Sequence, residues 1–202
     1  FGIVLNRMKM IFATNNQHKV DEIRSAVPKD FSIITLKEAG IDIDIPEPHD
    51  TLQDNAAEKA RTIHQLTNTN CFSEDTGLEV FSINNEPGVY SARYAGEEKS
   101  FDQNIEKLLL KLRNSNDRKA RFRTVICLIL EGKEYFFEGI CEGEIIKERK
   151  GNQGFGYDPI FVPKGSTKTF AEMSITEKNE FSHRKKATDR LVTFLNNFHQ
   201  VN

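Results

Sequence analysis

A long hairpin pattern in the second half of the chain restricts the fold more than any other feature. Residues 120–130 and 134–148 form two β-rich runs, separated by Glu131, Gly132 and Lys133. A short glycine-containing connection between two such runs is typical of a β-hairpin. Because the strands of a hairpin are antiparallel, a sheet that contains them must be at least partly antiparallel.

The first half of the chain instead alternates strand and helix patterns. Residues 10–13 and 31–36 are apolar runs that predict strands, and apolar side chains recur at helical spacing over residues 20–27. Thr51, with Asp54 three residues later, predicts the N-terminus of a second helix. Together with the hairpin, this order predicts an α/β fold with a mixed, partly antiparallel sheet.

Two amphipathic stripes complete the pattern. Apolar side chains repeat at helical offsets over residues 101–112 and again over residues 187–198, and each stripe predicts a helix. A proline-broken acidic loop, IDIDIPEPHD, separates the early strands from the second helix. The expected fold is therefore a mixed sheet flanked by helices.

Length and charge narrow the functional class. The chain has 202 residues, which fits one globular domain of one or two lobes. A net charge of −2 argues against a basic surface that binds nucleic acid. No apolar run approaches the roughly 20 residues of a membrane helix. We expect residues 1–7, before Met8, to be leader sequence and residues 8–202 to form the domain.

The cysteines indicate the compartment. Cys71, Cys127 and Cys141 are odd in number, lack C-x-x-C spacing and lie in apolar surroundings. Buried free thiols are typical of a reducing environment, so we expect a cytoplasmic protein.

A pair of acids in the middle of the chain is the strongest local sign of chemistry. The segment reads SEDTGLEV, and its pattern predicts that Glu74 and Asp75 end one short strand before a turn at Thr76 and Gly77. Carboxylates fixed by a tight turn suit Mg²⁺, which prefers oxygen ligands. By itself, the same segment is more typical of a turn whose acids are solvated.

A glycine-rich aromatic segment is the second such sign. It reads GNQGFGYDPIF, in which glycines let the backbone approach a ligand closely and Phe155 or Tyr157 could stack on a base. Asp158 could bond to a base or sugar. A hairpin turn with core aromatics is the alternative interpretation.

Two further segments carry groups that suit anions. ATNNQHK follows the first predicted strand and offers hydroxyl, amide and ammonium groups at a helix start, which can hold phosphate. TEKNEFSHRKKATDR places Lys178, His183 and Arg184 just before the last predicted helix, which Ser182 could cap. Taken alone, this second run is more typical of a solvated charged face.

Taken together and in order, these segments resemble the inosine triphosphate pyrophosphatase family of non-standard purine NTP pyrophosphatases. The resemblance rests on ATNNQHK, the acidic proline loop, DNAAEKAR, SEDTGLEV, PGVYSARYAG, GFGYDPIF and TEKNEFSHR, and spans essentially Met8 to the C-terminus. It implies a two-lobed domain around a long mixed sheet, with the active site in the cleft between the lobes, and a homodimer. The substrate would be a purine nucleoside triphosphate.

The resemblance also implies roles for individual residues. Asp75 would be the general base, and Glu47 and Asp75 would hold Mg²⁺, with Glu74 the less certain ligand. Substrate would be bound by Thr14, Asn15, Asn16, Lys19, Lys59, Thr76, Phe155, Gly156, Tyr157, Asp158, Lys178, His183 and Arg184. Asn15 stands where the family often has glycine, and asparagine can adopt the left-handed backbone that glycine would allow, so the phosphate cradle is still expected.

Three alternative functions are compatible with the motifs. One is a house-cleaning pyrophosphatase for modified pyrimidine nucleotides, since such a fold can host either specificity. The others are a non-catalytic nucleotide sensor and an RNA-binding module that stacks bases on Phe155 and Tyr157. The acidic net charge disfavours RNA.

Overall fold

The computed structural model describes residues 8–201, with side chains described through residue 198. The leader expected at residues 1–7 lies outside the described residues. The strands are β1 (Met8–Phe12), β2 (Phe31–Thr35), β3 (Cys71–Val80), β4 (Glu86–Gly88), β5 (Lys119–Leu130), β6 (Lys133–Ile145) and β7 (Phe161–Pro163). The α-helices are α1 (Gln17–Ala26), α2 (Leu52–Thr67), α3 (Phe101–Lys111), α4 (Ile175–Asn179) and α5 (His183–Val201).

The sheet is mixed, as the sequence predicts. Its strand order is β2-β1-β3-β5-β6-β7, and β4 pairs with β3 off this path. β1 is parallel to β2 and β3, whereas β4 is antiparallel to β3 and β7 to β6. β5 and β6 are the predicted hairpin, and both turn residues, Glu131 and Gly132, have positive φ, as a type I′ turn requires. The predicted α/β class is therefore confirmed.

Strand β3 departs from the sequence prediction. The expected turn at Thr76 and Gly77 between two short strands is wrong, because residues 71–80 form one continuous strand. Every residue of β3 except Thr76 is buried, and the strand pairs with β1 at its start and β4 at its end. Pairing and burial along the strand outweigh the local turn preference of Asp-Thr-Gly. Glu74 and Asp75 therefore lie in the middle of a strand.

The chain divides into two compact units. Among the described residues, the first unit contains 8–75, 125–137 and 187–201, and the second contains 76–124 and 138–186. The chain therefore passes from the first unit to the second between Asp75 and Thr76.

In the first unit, helices cover both faces of the sheet. Helices α1 and α5 contribute Ile23 and Leu191 to a cluster with Phe12 and Phe72, whose rings stack at 4.6 Å. Helix α2 contributes alanines and Ile63 to a second cluster with residues 127 and 129 of β5, whereas residues 126, 128 and 130 enter the first cluster. Since alternate strand residues point to opposite faces, α1 and α2 lie on opposite faces of the sheet.

The second unit has one core built on aromatic side chains. Phe122 of β5 packs edge-on against Phe161 at 4.6 Å and near Phe170 at 6.0 Å. Leu78 of β3 and Ile105 of α3 belong to the same cluster. This core supports the segment that contains Phe155.

The helix ends follow local capping signals. Thr51 accepts a hydrogen bond from the backbone N–H of Asp54, as predicted. Ser182 accepts one from the backbone N–H of Lys185 at 3.2 Å, so it caps α5. His183 and Arg184 therefore lie in the first turn of α5 and not before it, which corrects the sequence prediction. In the part of the chain described, no helix combines the length and apolarity needed to cross a membrane.

Candidate active site

The first unit contains a group of buried and half-buried charges, which we name the carboxylate–lysine cluster: Lys19, Glu47, Lys59, Glu74 and Asp75. The Nζ atom of Lys59 lies 2.5 Å from Oε1 of Glu47 and 3.6 Å from Oδ1 of Asp75. The Nζ atom of Lys19 lies 2.8 Å from Oε1 of Glu74. Glu74, Asp75 and Lys59 are 2%, 5% and 7% exposed. Charges this buried are held by their mutual pairing.

Strand alternation explains how these side chains are paired. Residues 71 and 73 of β3 face α2, since the Sγ of Cys71 and the Oγ of Ser73 donate to carbonyls of that helix. Asp75 therefore faces α2 and its Lys59, whereas Glu74 faces α1 and its Lys19. The continuous strand thus sends its two neighbouring acids to different lysines.

Burial and charge perturb the protonation of Asp75. Desolvation raises the pKa of Asp75 to about 6, with further contributions from Glu47 and Glu74, although Lys59 and Lys19 oppose the shift. Burial lowers the pKa of Lys59, but the charges of Asp75 and Glu47 outweigh it and raise that pKa overall. The ammonium of Lys59 is shared between Glu47 and Asp75, and desolvation outweighs the opposing effect of Lys59 and Lys19 on the pKa of Asp75. A carboxylate with a pKa near neutrality suits a general base.

A pH profile follows from this shift. Asp75 can accept a proton only when ionised, so kcat/KM with an accepted substrate should fall about tenfold per pH unit on the acid side of the pKa of Asp75. That pKa is about 6 in the metal-free protein, and a bound cation would lower it. Initial rates between pH 4.5 and 8 at fixed metal concentration would measure this limb. If the same fall in kcat/KM at low pH persists in Asp75→Asn, it is caused by the protonation of another group.

The predicted phosphate cradle lies at the N-terminus of α1. Asn16 is the N-cap, and its Oδ1 accepts from the backbone N–H of Lys19 at 3.3 Å. Thr14 Oγ1 accepts from the backbone N–H of Asn16 at 3.1 Å. Asn15 does not use the left-handed backbone that is open to it: it has no positive φ, and its side-chain amide donates to the carbonyl of Ile43 at 2.9 Å. Asn15 therefore contacts the acidic loop instead of reproducing a glycine.

The donor atoms of the carboxylate–lysine cluster fit a magnesium ion. Within residues 8–198, no three Asp, Glu, His or Cys side chains form a ready set of metal ligands. Mg²⁺, however, is usually bound by one or two carboxylates together with substrate phosphates and water. Glu47 and Asp75 supply such hard oxygen donors and share the ammonium of Lys59. A divalent cation could replace that ammonium as their counter-charge.

The second unit contains eight further predicted residues, six of which we name the aromatic–cation group: Thr76, Phe155, Asp158, Lys178, His183 and Arg184. The Nζ atom of Lys178 and the Cζ atom of Arg184 lie 5.4 and 5.5 Å from the ring centroid of Phe155. Cations at this distance are attracted to an aromatic face. Lys178 also pairs with Asp158 at 2.7 Å, and both side chains are buried.

His183 and Arg184 are held by contacts within the second unit. The ring of His183 stacks on Phe122 at 4.7 Å with an interplanar angle of 14°. Nη2 of Arg184 donates to Oγ1 of Thr76 at 3.2 Å, and Thr76 shares a 2.6 Å hydrogen bond with Thr124. Each of the two helical side chains is only 2% exposed, so their orientations are restricted.

Two predicted base contacts play a different part in the structure. Asp158 Oδ2 accepts from the backbone N–H of Phe155 at 3.0 Å as well as from Lys178, so Asp158 organises the loop. The side chain of Tyr157 is buried in the core, and its hydroxyl donates to the carbonyl of Ser91 at 2.8 Å. Only the backbone of Tyr157 would therefore be available to contact a base.

Glycines allow the Phe155 loop to take this shape. Gly154 has φ of +70°, and a Cβ there would lie 2.1 Å from Oδ2 of Asp158. Gly156 also has positive φ, with open space where a Cβ would be. The glycines of this segment therefore allow a tight loop, which replaces the hairpin turn considered from sequence.

Comparison with known proteins identifies the family. The Ham1 family model matches residues 10–194. The chain belongs to the Ham1 family. A relative from Flavobacterium johnsoniae named dITP/XTP pyrophosphatase is 50% identical over 188 residues, which cover 93% of this chain and 98% of the relative.

Solved structures of Ham1 proteins have the same fold. The Staphylococcus aureus Ham1 protein is 41% identical with a TM-score of 0.84, and covers 94% of this chain and 98% of its own. A HAM1 protein from Coxiella burnetii is 34% identical with a TM-score of 0.85, over 94% and 99% of the two chains. The family predicted from the ordered motifs is therefore confirmed.

Some residues that support the site in this Ham1 chain were missed from sequence. The ring of Phe101 lies 6.2 Å from that of Phe155, at the first residue of α3. Asn55 and Asn104 are buried asparagines whose amides bond to loop backbone. Asparagine on the apolar face of a predicted helix is a usable signal, because a buried amide requires partners. Nothing in the local sequence indicates the Phe101 contact.

Proposed function

We propose that this protein hydrolyses non-standard purine nucleoside triphosphates, namely ITP, dITP and XTP, to the nucleoside monophosphate and pyrophosphate. The observation that carries the proposal is the carboxylate–lysine cluster, where buried Asp75, with its raised pKa, lies 3.6 Å from Lys59. The names of its relatives support the same activity. The cluster thus combines a base with cations for a triphosphate.

The residues suggest a direct hydrolysis. Asp75 accepts a proton from a water molecule as the water oxygen bonds to the α-phosphorus, and the bridging bond to the β-phosphate breaks. Pyrophosphate leaves with the bonding electrons, and Lys19 and Lys59 stabilise its charge. When bound by Glu47 and Asp75, Mg²⁺ would supply further positive charge to the phosphates. No covalent enzyme intermediate is needed.

Recognition of the base is assigned to the aromatic–cation group. Phe155 would stack on the purine, while His183 and Arg184 would donate to the 6-oxo group of hypoxanthine or xanthine. Adenine carries a 6-amino donor at that position, so in ATP this donor would face the donors of His183 and Arg184 and no hydrogen bond would form. Sites that depend on buried hydrogen bonds can discriminate by roughly 10⁴–10⁵.

A pyrophosphate-release panel tests the proposal. ITP, XTP, dITP, dUTP and ATP would be compared with Mg²⁺ and with metal removed by chelation. We expect ITP, dITP and XTP to be turned over far faster than ATP, and only with metal. Preference for dUTP would indicate a pyrimidine house-cleaning enzyme, and ITP binding without turnover would indicate a sensor.

Phe155→Ala tests the stacking role. Loss of stacking should raise KM for ITP about tenfold, since stacking of one base on an aromatic side chain is worth about 1–3 kcal/mol. We expect kcat to change much less. Phe155→Leu is the matched control, because leucine keeps apolar volume but has no ring. Aromatic stacking requires KM to rise in both variants, so a rise in Phe155→Ala alone would contradict it.

We further propose a cytoplasmic homodimer. The three cysteines are free and buried, which fits a reducing compartment. Tyr90 and Leu110 of the second unit are 51% and 66% exposed, and apolar side chains of this kind can serve an interface between copies. Sedimentation analysis would measure the oligomeric state, and a monomer at micromolar concentration would contradict the dimer.

A further inference from the structure

The acidic loop that carries Glu47 is held by apolar contacts in its first half. Residues 41–48 lie outside the helices and strands described, and Ile41, Ile43 and Ile45 pack against the core beside α2. After Ile45 the loop continues through two prolines on either side of Glu47. The apolar contacts that hold its first half therefore end before the carboxylate.

Asn55 of α2 holds the C-terminal end of this loop through two hydrogen bonds to His49. Its Oδ1 accepts from the backbone N–H of His49 at 2.9 Å, and its Nδ2 donates to the carbonyl of the same residue at 3.1 Å. The side-chain amide thus pairs with one loop residue as a neighbouring strand would. Asn55 is 0% exposed, so both backbone groups would lose buried partners if it were removed.

Helix capping does not account for this asparagine. Thr51 is the N-cap of α2, and its side chain accepts from the backbone N–H of Asp54. Asn55 and Lys59 are four residues apart and therefore lie on the same face of the helix. Lys59 contacts the Glu47 side chain itself, whereas Asn55 contacts the backbone two residues later.

We propose that Asn55 is a positioning residue that holds Glu47 in place for the divalent cation. The inference rests on the proposed metal site. Lys59 is assigned to the triphosphate, so its contact with Glu47 would weaken when nucleotide binds. The Asn55–His49 pair involves neither ligand nor carboxylate, so it keeps the loop in place throughout.

Binding of Mn²⁺ to the nucleotide-free protein tests this role without turnover. Asn55→Ala should raise the Mn²⁺ dissociation constant at least about tenfold, because groups that orient metal ligands typically contribute 10–100-fold to affinity. Free Mn²⁺ would be measured by electron paramagnetic resonance. Amide hydrogen exchange should also become faster at His49. Asn55→Ser, whose hydroxyl is too short to span both groups, provides a milder variant if Asn55→Ala does not fold.

Asn104→Ala is the matched control for loss of a buried asparagine. Asn104 is 2% exposed and bonds to the backbone of Ala95 and Ala92 in the second unit. We expect it to lower the thermal midpoint but to leave Mn²⁺ affinity unchanged. Unchanged Mn²⁺ affinity in the Asn55 variants, with only the midpoint lowered, would overturn the inference. If the wild type binds Mn²⁺ but does not hydrolyse ITP, the proposed function fails while the positioning role stands.

Discussion

Asp75→Asn is expected to lower kcat for ITP by about 10²–10⁴-fold, the range that a positioned general base contributes. Asparagine keeps the size of the side chain but cannot accept the proton of the attacking water at neutral pH. Binding of ITP should survive, because Lys19 and Lys59 are unchanged. Steady-state kinetics and equilibrium nucleotide binding would measure the two effects separately.

Glu79→Gln provides the matched control for Asp75→Asn. Glu79 is another buried acid of β3, and it pairs with Arg121 and Arg123 in the second unit. The substitution removes the same charge from the same strand. An equal loss of kcat in both variants would mean that the strand is simply sensitive to lost charge, and turnover that survives Asp75→Asn would remove Asp75 from the mechanism.

Asp75→Asn should also make the nucleotide-free protein more stable at pH 8. The pKa of Asp75 is raised from 3.8 to about 6, so the folded state holds a proton that the unfolded state has released in that interval. The contribution of Asp75 to stability is therefore favourable below pH 3.8 and is lost as pH rises through 6. We expect Asp75→Asn to raise the thermal midpoint at pH 8 and to show a smaller difference at pH 4.

The second large effect is expected at the Asp158–Lys178 pair. Asp158→Ala leaves a buried ammonium without its carboxylate, and breaking a buried pair in this way costs about 3–5 kcal/mol of unfolding free energy. The side chains are 4% and 5% exposed, so solvent offers little compensation. Urea unfolding would measure the loss. ITP affinity should also fall, because Asp158 holds the backbone of Phe155.

A double-mutant cycle separates the pair from its members. Asp158→Asn with Lys178→Met removes both charges and should recover much of the stability that Asp158→Asn alone loses. Lys168→Met, which breaks the exposed pair with Glu177, is the control and should cost no more than about 1 kcal/mol. Additive effects of the two buried substitutions would show that the ion pair is not coupled.

Much of the fold could be predicted because its signals are local. The β5–β6 hairpin followed from two β-rich runs around a glycine turn, and the cap at Thr51 from its spacing to Asp54. The long helices followed from apolar side chains at helical offsets. Each of these features depends on residues within one element or turn, so the chain itself contains the information.

The site was predicted more by its ordered motifs than by any one motif. Alone, the Glu74–Asp75 segment suggested a turn with solvated acids more than a catalytic centre. The family match confirms the combined interpretation, whereas the individual roles of these residues remain predictions. The structure adds that consecutive acids face different helices, an arrangement that strand alternation creates only once β3 is continuous.

The sequence by itself determined the α/β class, the hairpin and the long helices, because these depend on local periodicity, and motif order determined the family. Only the tertiary structure decided that β3 runs unbroken through Asp75, that Asp158 is turned toward Lys178 and the Phe155 backbone, and that Asn55 holds the Glu47 loop. Each depends on partners distant in sequence. Burial beside those partners outweighs the local preferences of the residues involved.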